Sequence, residues 1–359
     1  MKKEIAVLKG DGIGPEVVDQ ALKVLSVVAE QANIEFDFKF GLIGGTAIEK
    51  TGQALPTATI DLCKAADAVL LGAIGDPKYD NDPTAAVRPE QGLLSLRKEL
   101  NLFTNVRPIK LYPALSHLSP LKKEKLEGVD MVIYRELTGG IYFGKKEKGE
   151  DYASDLCIYY KEEIERVAHL AFAAATKRNN KLCLVDKANV LESSRLWRKV
   201  VQGMSADYPN VKVAYLYVDN AAMQLILNPN QFDVILTSNM FGDILSDEAS
   251  VLGGSIGLLP SASFGNEFKL YEPVHGSYPQ AAGKNIANPM ATILSAAIML
   301  QDFGLEKQAT AIEDAIAKCI ETGFTTADVN QSNGYKCSEV GKAVCNLLVA
   351  QQASIINEI

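Results

Sequence analysis

Ile5-Ala6-Val7-Leu8-Lys9-Gly10-Asp11-Gly12-Ile13-Gly14-Pro15-Glu16-Val17 decides how the rest of the chain is read, because an apolar run gives way through glycines to a segment of helical period. The apolar residues before the turn predict a buried strand, and Pro15 suits the first turn of a helix, where its missing N–H costs nothing. A strand feeding a helix through glycines invites the dinucleotide fingerprint G-x-G-x-x-G, and the sequence fails it. Gly10 and Gly12 fit, but Pro15 holds the third glycine's place, and no acidic residue ends a second strand where it would meet a ribose. Taken alone, the segment is a tight turn with some capacity to approach a ligand.

Beyond this turn, short apolar runs alternate with longer helical ones, the pattern of a layered α/β protein. Strands are predicted at Ile5–Leu8, Ile34–Phe40, Ala68–Ile74, Val106–Leu111, Met131–Arg135, Leu182–Asp186, Val211–Val218 and Phe232–Thr237. Helices are predicted at Pro15–Gln31, Lys161–Lys177, Ser193–Ser205, Phe241–Leu252, Pro289–Leu300 and Glu306–Thr322. The charged stretch Tyr142–Tyr160, with Gly144 and Gly149, predicts a projecting hairpin that serves as an interaction arm. No Pro/Gly/Ser-rich linker marks a domain border.

The 359 residues carry 36 Lys plus Arg against 44 Asp plus Glu, a formal net charge of −8. Without a densely basic run, the chain lacks the face that nucleic-acid binding requires, and any anion site is local. With 47% hydrophobic residues the composition is globular, and the length suits two lobes. The longest nearly apolar stretch, Met290–Leu300, falls short of the roughly 20 residues that span a bilayer and reads as a core helix. Lys9 and the glycines cut the first apolar run below the length of a signal peptide, so the chain is expected in the cytoplasm. Its six cysteines form no C-x-x-C pair and read as buried free thiols.

Chemistry is concentrated in a few segments. Arg97, Arg107 and Arg135 stand at the ends of predicted elements, where planar guanidinium groups clamp carboxylates; singly, each fits a surface salt bridge better. Asp243 and Asp247, spaced i, i+4, share one helical face, which fits a solvated pair as well as a pair of metal ligands. With Asp219 as a third carboxylate and no nearby His or Cys, the ion would be hard, Mg²⁺ or Mn²⁺. Lys187 follows a buried strand, where desolvation or neighbouring cations would fit it for a general base; the alternative is a solvated loop lysine. Tyr142, presented by the Gly139-Gly140 turn, is a candidate acid or an ordinary packed aromatic. Among the three histidines only His275, in Glu272-Pro273-Val274-His275-Gly276-Ser277-Tyr278-Pro279, has a suggestive setting.

Together these segments resemble the β-decarboxylating dehydrogenases of the isocitrate/isopropylmalate type. The likeness runs almost end to end, through Gly10–Val17, Leu93-Leu94-Ser95-Leu96-Arg97, Arg135–Gly144, Val185–Leu191 and Phe241–Asp247. It implies a two-domain α/β fold that is not Rossmann, with a discontinuous first domain, 1–102 plus 257–359, that binds the cofactor. Residues 103–256 would form the second domain, with the dimer interface, the arm and the metal-binding helix. It also implies a homodimer with shared active sites, each borrowing Lys187 and Asp219 from the partner across helices such as Ala221–Leu227 and Phe241–Leu252.

The implied reaction is oxidative decarboxylation of (2R,3S)-3-isopropylmalate to 4-methyl-2-oxopentanoate with reduction of NAD, a step of leucine biosynthesis. Arg97, Arg107 and Arg135 would hold the carboxylates; Asp219, Asp243 and Asp247 the metal. Lys187 would act as base and Tyr142 as acid. The segment before Arg97 would choose the substrate: Leu93 and Leu94 offer an apolar wall, Glu90 repels a further carboxylate, and Gln91 and Leu93 replace the serine and asparagine of isocitrate enzymes. Cofactor contacts are implied for Ile13, Glu272, His275, Gly276, Ser277, Tyr278, Gln280, Ala281, Asn288 and Asp328. Gln280 departs from the family's aspartate: it still accepts a hydrogen bond from the ribose but brings no charge to repel a 2'-phosphate. The lysine-tyrosine pair of NADP-dependent relatives is also missing, so NAD is expected with weakened discrimination. The rival readings are a related enzyme acting on isocitrate, homoisocitrate or tartrate, and a non-catalytic regulatory subunit. The latter would have lost groups such as Lys187, Tyr142 and the aspartates, all retained here.

Overall fold

The computed structural model describes residues 1–80 and 85–357. In chain order its strands are β1 (Lys2–Gly10), β2 (Glu35–Gly41), β3 (Ala68–Ala73), β4 (Thr104–Lys110), β5 (Asp130–Glu136), β6 (Lys146–Lys148), β7 (Ala153–Asp155), β8 (Lys181–Asp186), β9 (Lys212–Tyr217), β10 (Val234–Thr237), β11 (Pro260–Phe264) and β12 (Lys269–Pro273). The chain divides into two compact units, one of Met1–Leu100, Ser255–Ala262 and Asn266–Ile359, the other of Asn101–Gly254 and Ser263–Gly265.

In the first unit the strands run in the order β2-β1-β3-β12-β11, with β1 parallel to β2 and β3, and β12 parallel to β3. Ile5–Leu8 have no exposed surface and β3 is buried throughout, as the apolar runs require of a strand covered on both faces. The helix Met290–Asp302 is buried nearly all round and is the core helix expected of that stretch. The opening turn behaves as a structural joint. Asp11, buried, accepts backbone N–H bonds from Gly45 (2.8 Å), Thr46 (2.8 Å) and Gly75 (3.0 Å). Gly12 adopts φ 56°, and a Cβ there would strike the Ser277 carbonyl, so its glycine serves close backbone packing.

In the second unit β4 pairs antiparallel with β5, and β5, β10, β8 and β9 follow in parallel register. Alternate residues enter opposite cores. Val132, Leu182, Leu184, Val234 and Leu236 pack with the helices Lys161–Lys177 and Glu192–Met204, and Met131, Ile133, Val185 and Ile235 with Val218–Leu227 and Asn239–Ser250. Both faces are therefore buried, and the C-terminal ends of four parallel strands open along one edge, the usual place for a ligand in such a sheet. The arm is a short hairpin, β6 antiparallel to β7, with Lys146 opposite Asp155.

Several elements escape the sequence reading: β11, β12, the helix Pro89–Glu99 and the C-terminal helix Cys337–Asn357 among them. Asp219 also sits in the first turn of the helix Val218–Leu227, because β9 ends at Tyr217, before the predicted strand end. All six cysteines are free, but Cys157 is exposed, so burial does not hold for every thiol. No helix of the described residues is long and apolar enough to cross a membrane.

Candidate active site

The ends of the four parallel strands deliver the chemistry of the second unit, with β9 leading to Asp219. β5 carries Arg135 near its end and leads into the turn bearing Tyr142, β8 leads to Lys187, and β10 leads to the helix Asn239–Ser250 that bears Asp243 and Asp247. Arg135 is almost wholly buried; its Nη1 pairs with Asp243 Oδ1, and its other edge rests on Asn239. Arg107 reaches the same helix from β4, donating from Nη1 to Ser246 Oγ at 2.7 Å and to Asp247 Oδ1 at 2.8 Å, with Nη2 at 3.9 Å from Asp243. The Tyr142 hydroxyl donates to Asp243 Oδ2 at 2.9 Å. Arginine, arginine, tyrosine and two aspartates therefore share one cluster, a convergence that single-residue readings left open.

Burial and then the Asp243 carboxylate raise the Tyr142 phenol above its ordinary value, with Arg135 opposing. The phenol consequently stays protonated at neutral pH, as a proton donor must. Lys187 and Asp219, from successive strand ends, form a second group, Nζ to Oδ1 at 2.5 Å, and that bond holds the Asp219 carboxyl below its usual range. Among the described residues no three His, Cys, Asp or Glu side chains of one chain stand together as a metal cage. The donors on the Asn239–Ser250 helix are carboxylate oxygens alone, which fit a hard divalent ion, and two of them leave its shell open to further oxygens.

In the first unit, Arg97 lies in the last turn of Pro89–Glu99 and donates to Glu272 Oε1 at 2.9 Å, a pairing of two expected ligand contacts with each other. Leu94 on the same helix is exposed and Leu93 half-buried, an apolar surface available to a branched side chain; Glu90, one turn earlier, is exposed. A cavity of about 380 Å³ is lined by Ile13, His275, Gly276, Tyr278, Asn288 and Asp328 together with Ser255, Ile256, Gly257, Ile286 and Ala287. Of the last five, Ile286 and Ala287 directly precede the expected Asn288 in the same loop, whereas Ser255–Gly257 carry no sequence signal. Asp328 accepts from Ser255 Oγ (2.5 Å) and Asn288 Nδ2 (3.1 Å). Ser277 offers its backbone carbonyl to Ile13, 2.8 Å away, and Gln280 is exposed. Ala281 is wholly buried with Ile13 and Ala287, so its side chain has no surface to give a ligand.

His275 tests the fit of a nucleotide. Its Nδ1 lies 3.0 Å from the Gly276 carbonyl, which places the proton there, and its buried Nε2 has no partner among the described residues. Such an acceptor takes a donor from a bound molecule or an ordered water, and a nucleotide can supply one. Burial pulls His275 below its ordinary value of 6.5, so the ring is neutral from there upward. The KM for the nucleotide is accordingly expected to stay flat between pH 6.5 and 8 and to rise only as acidification protonates the ring. A rise beginning above pH 7 in initial-rate measurements would contradict this. Another cavity, of about 420 Å³ and largely apolar, lies at the opposite end of the β4–β5 pair near Lys110 and Asp130; size alone does not select the site.

The family model described as isocitrate/isopropylmalate dehydrogenase matches residues 4–344. The chain is 56% identical over 337 residues to 3-isopropylmalate dehydrogenase of Bacillus licheniformis, covering 92% of this chain and 91% of that one. It is 55% identical over 347 residues to the enzyme of the same name from Bacillus subtilis, covering 94% and 95%. The crystal structure of isocitrate dehydrogenase from Methylococcus capsulatus matches with a TM-score of 0.85 at 32% identity, over 96% of this chain and 99% of that one. With a family match across nearly its whole length, and with the clustered arginines, tyrosine and aspartates in place, the chain belongs to the isocitrate/isopropylmalate dehydrogenase family.

Proposed function

We propose that the chain catalyses metal-dependent oxidative decarboxylation of (2R,3S)-3-isopropylmalate to 4-methyl-2-oxopentanoate with reduction of NAD, a cytoplasmic step of leucine biosynthesis. The observation that carries this reading is the meeting of Arg107, Arg135 and Tyr142 on Asp243, with Asp247 one helical turn further on. When bound, NAD supplies the hydride acceptor, and Mg²⁺ or Mn²⁺ supplies positive charge against the oxygen at C2. Arg97, Arg107 and Arg135 hold the substrate carboxylates by forked hydrogen bonds. Lys187 takes the proton of the 2-hydroxyl, and after carbon dioxide has left, the Tyr142 phenol returns a proton to carbon.

Asp243 and Asp247 of one chain hold the metal with the partner's Asp219, and the partner's Lys187 completes the site. Two features support a dimer. The arm is a two-stranded hairpin, marginal by itself, and bears exposed Phe143, Tyr152, Leu156 and Ile158. Met223, Ile226, Leu227, Ile244 and Val251 are exposed along the helices Val218–Leu227 and Asn239–Ser250 and beyond, the kind of apolar surface a partner covers.

Residues 1–102 and 257–359 serve the cofactor through Ile13, Glu272, His275, Gly276, Ser277, Tyr278, Gln280, Asn288 and Asp328, with Ala281 shaping the loop from beneath. Leu93 and Leu94 receive the isopropyl group, and Glu90 disfavours a third carboxylate. The test is NADH formation from a panel of malate derivatives, with and without Mn²⁺. The expected result is the highest kcat/KM with 3-isopropylmalate and NAD, and a smaller value with NADP. Preference for isocitrate or for NADP would contradict the assignment.

A further inference from the structure

We propose that Asn239 is a positioning residue for this reaction: its single buried amide sets the Arg135 guanidinium and the Gly139–Tyr142 turn in one register about Asp243. The inference rests on the function proposed above. Asn239 is 1% exposed. Its Oδ1 accepts from Arg135 Nη2 at 2.9 Å and from Nε at 3.3 Å, and its backbone carbonyl accepts from Nε at 2.9 Å. Its Nδ2 donates in the other direction, to the Gly139 carbonyl at 3.2 Å. A carboxamide is the side chain of this size that offers an acceptor to a guanidinium and a donor to a carbonyl together. Aspartate would lose the donor, and leucine would lose both.

The turn is gripped from its other side by Glu136, which is wholly buried and accepts from Thr138 N and Thr138 Oγ1, each at 2.7 Å, and from Gly139 N at 2.8 Å. Gly139 thus has its N–H fixed by one side chain and its carbonyl by another. Gly140, at φ 75°, brings the backbone so near the Tyr159 ring that a Cβ would overlap its hydroxyl. The Tyr159 hydroxyl in turn accepts from Asn239 N at 3.0 Å. Two residues beyond Gly140, Tyr142 reaches Asp243, and Asp243 takes Arg135 Nη1. The contacts close a ring, Asn239 to Gly139 to Tyr142 to Asp243 to Arg135 and back. Substrate clamp and proton donor are therefore held by one buried group that touches neither the substrate nor the reacting atoms.

The two arms of this ring can be separated kinetically. Asn239→Ser shortens the side chain and removes the Oδ1 bonds to Arg135 and the Nδ2 bond to Gly139, leaving the backbone carbonyl on Arg135 Nε. KM for isopropylmalate should therefore rise and kcat should fall, each by about tenfold or more, since small misplacements of reacting groups are costly. Glu136→Gln loosens only the turn, because its amide N–H₂ meets the Gly139 N–H. Its kcat should fall by about tenfold while KM stays within about twofold. In the double variant both changes act on kcat through the same turn, so the kcat loss should not exceed that of the worse single variant, and KM should equal that of Asn239→Ser.

Each variant is assayed as the full chain below its melting temperature. Should Glu136→Gln not fold, Thr138→Val, at a half-buried position, replaces it with the same expected split. Wild-type kinetics for folded Asn239→Ser overturns the proposal, as does a KM rise in the turn variant equal to its kcat loss, or multiplication of the two kcat losses in the double variant. Wild-type protein without activity on isopropylmalate would instead sink the functional reading, and the two failures are distinct.

Discussion

Lys187→Met will lower kcat by about 10³-fold and leave the melting temperature close to that of the parent, because loss of a positioned general base costs 10²–10⁴-fold. The separation of the two effects is what the structure makes specific. Lys187 is three-quarters buried at the side-chain level, but its partner Asp219 is 62% exposed, and an ion pair that wet contributes little to stability. Methionine keeps most of the apolar stem and gives up the ammonium, together with its contact to the Tyr217 ring, whose centroid lies 6.0 Å from Nζ. Steady-state rates beside thermal melts check this. A variant that melts early with normal activity per folded molecule would make Lys187 structural.

Asp247→Asn will raise the Mn²⁺ concentration for half-maximal rate by on the order of 10²-fold, and chelation with EDTA will abolish the activity of the parent. Asp247 is two-thirds exposed and pairs with Arg107, so its removal should disturb the fold little. Asp243 carries a heavier structural load, since Arg135, Arg107 and Tyr142 all rest on it; Asp243→Asn should therefore cost stability as well as metal affinity. A metal titration for each variant distinguishes them. Equal metal dependence in parent and Asp247→Asn would remove Asp247 from the ligand set.

What could be read in advance follows the physics of each segment. β5, β8 and β10 were legible because strands buried on both faces must be apolar throughout, and Lys161–Lys177 because its buried Ile164, Val167, Ala168, Ala171 and Ala175 repeat with helical spacing. β12 was not, since Lys269-Leu270-Tyr271-Glu272-Pro273 is half polar and ends in proline. The C-terminal helix held a readable stripe in Val340, Val344 and Leu348, interrupted by Gly341, which admits the Gln20 side chain of a neighbouring helix.

For the site, the i, i+4 spacing placed Asp243 and Asp247 on one face, but periodicity says nothing of Arg107, which comes from an antiparallel strand remote in sequence. Lys187 stood out only as a residue after a strand; its bond to Asp219 depends on β8 and β9 being neighbours, a tertiary fact. The role of Asn239 left no trace at all, because a buried amide bridging a guanidinium and a carbonyl has no spacing rule.

The most direct measurement mixes two inactive variants, Lys187→Met and Tyr142→Phe, after dissociation and reassembly. If each site combines Tyr142, Asp243 and Asp247 of one chain with the partner's Lys187, random pairing gives about half mixed dimers, each with one of its two sites intact, and about a quarter of parental activity returns. If every site is built within a single chain, both sites of the mixed dimer remain defective, and no activity returns.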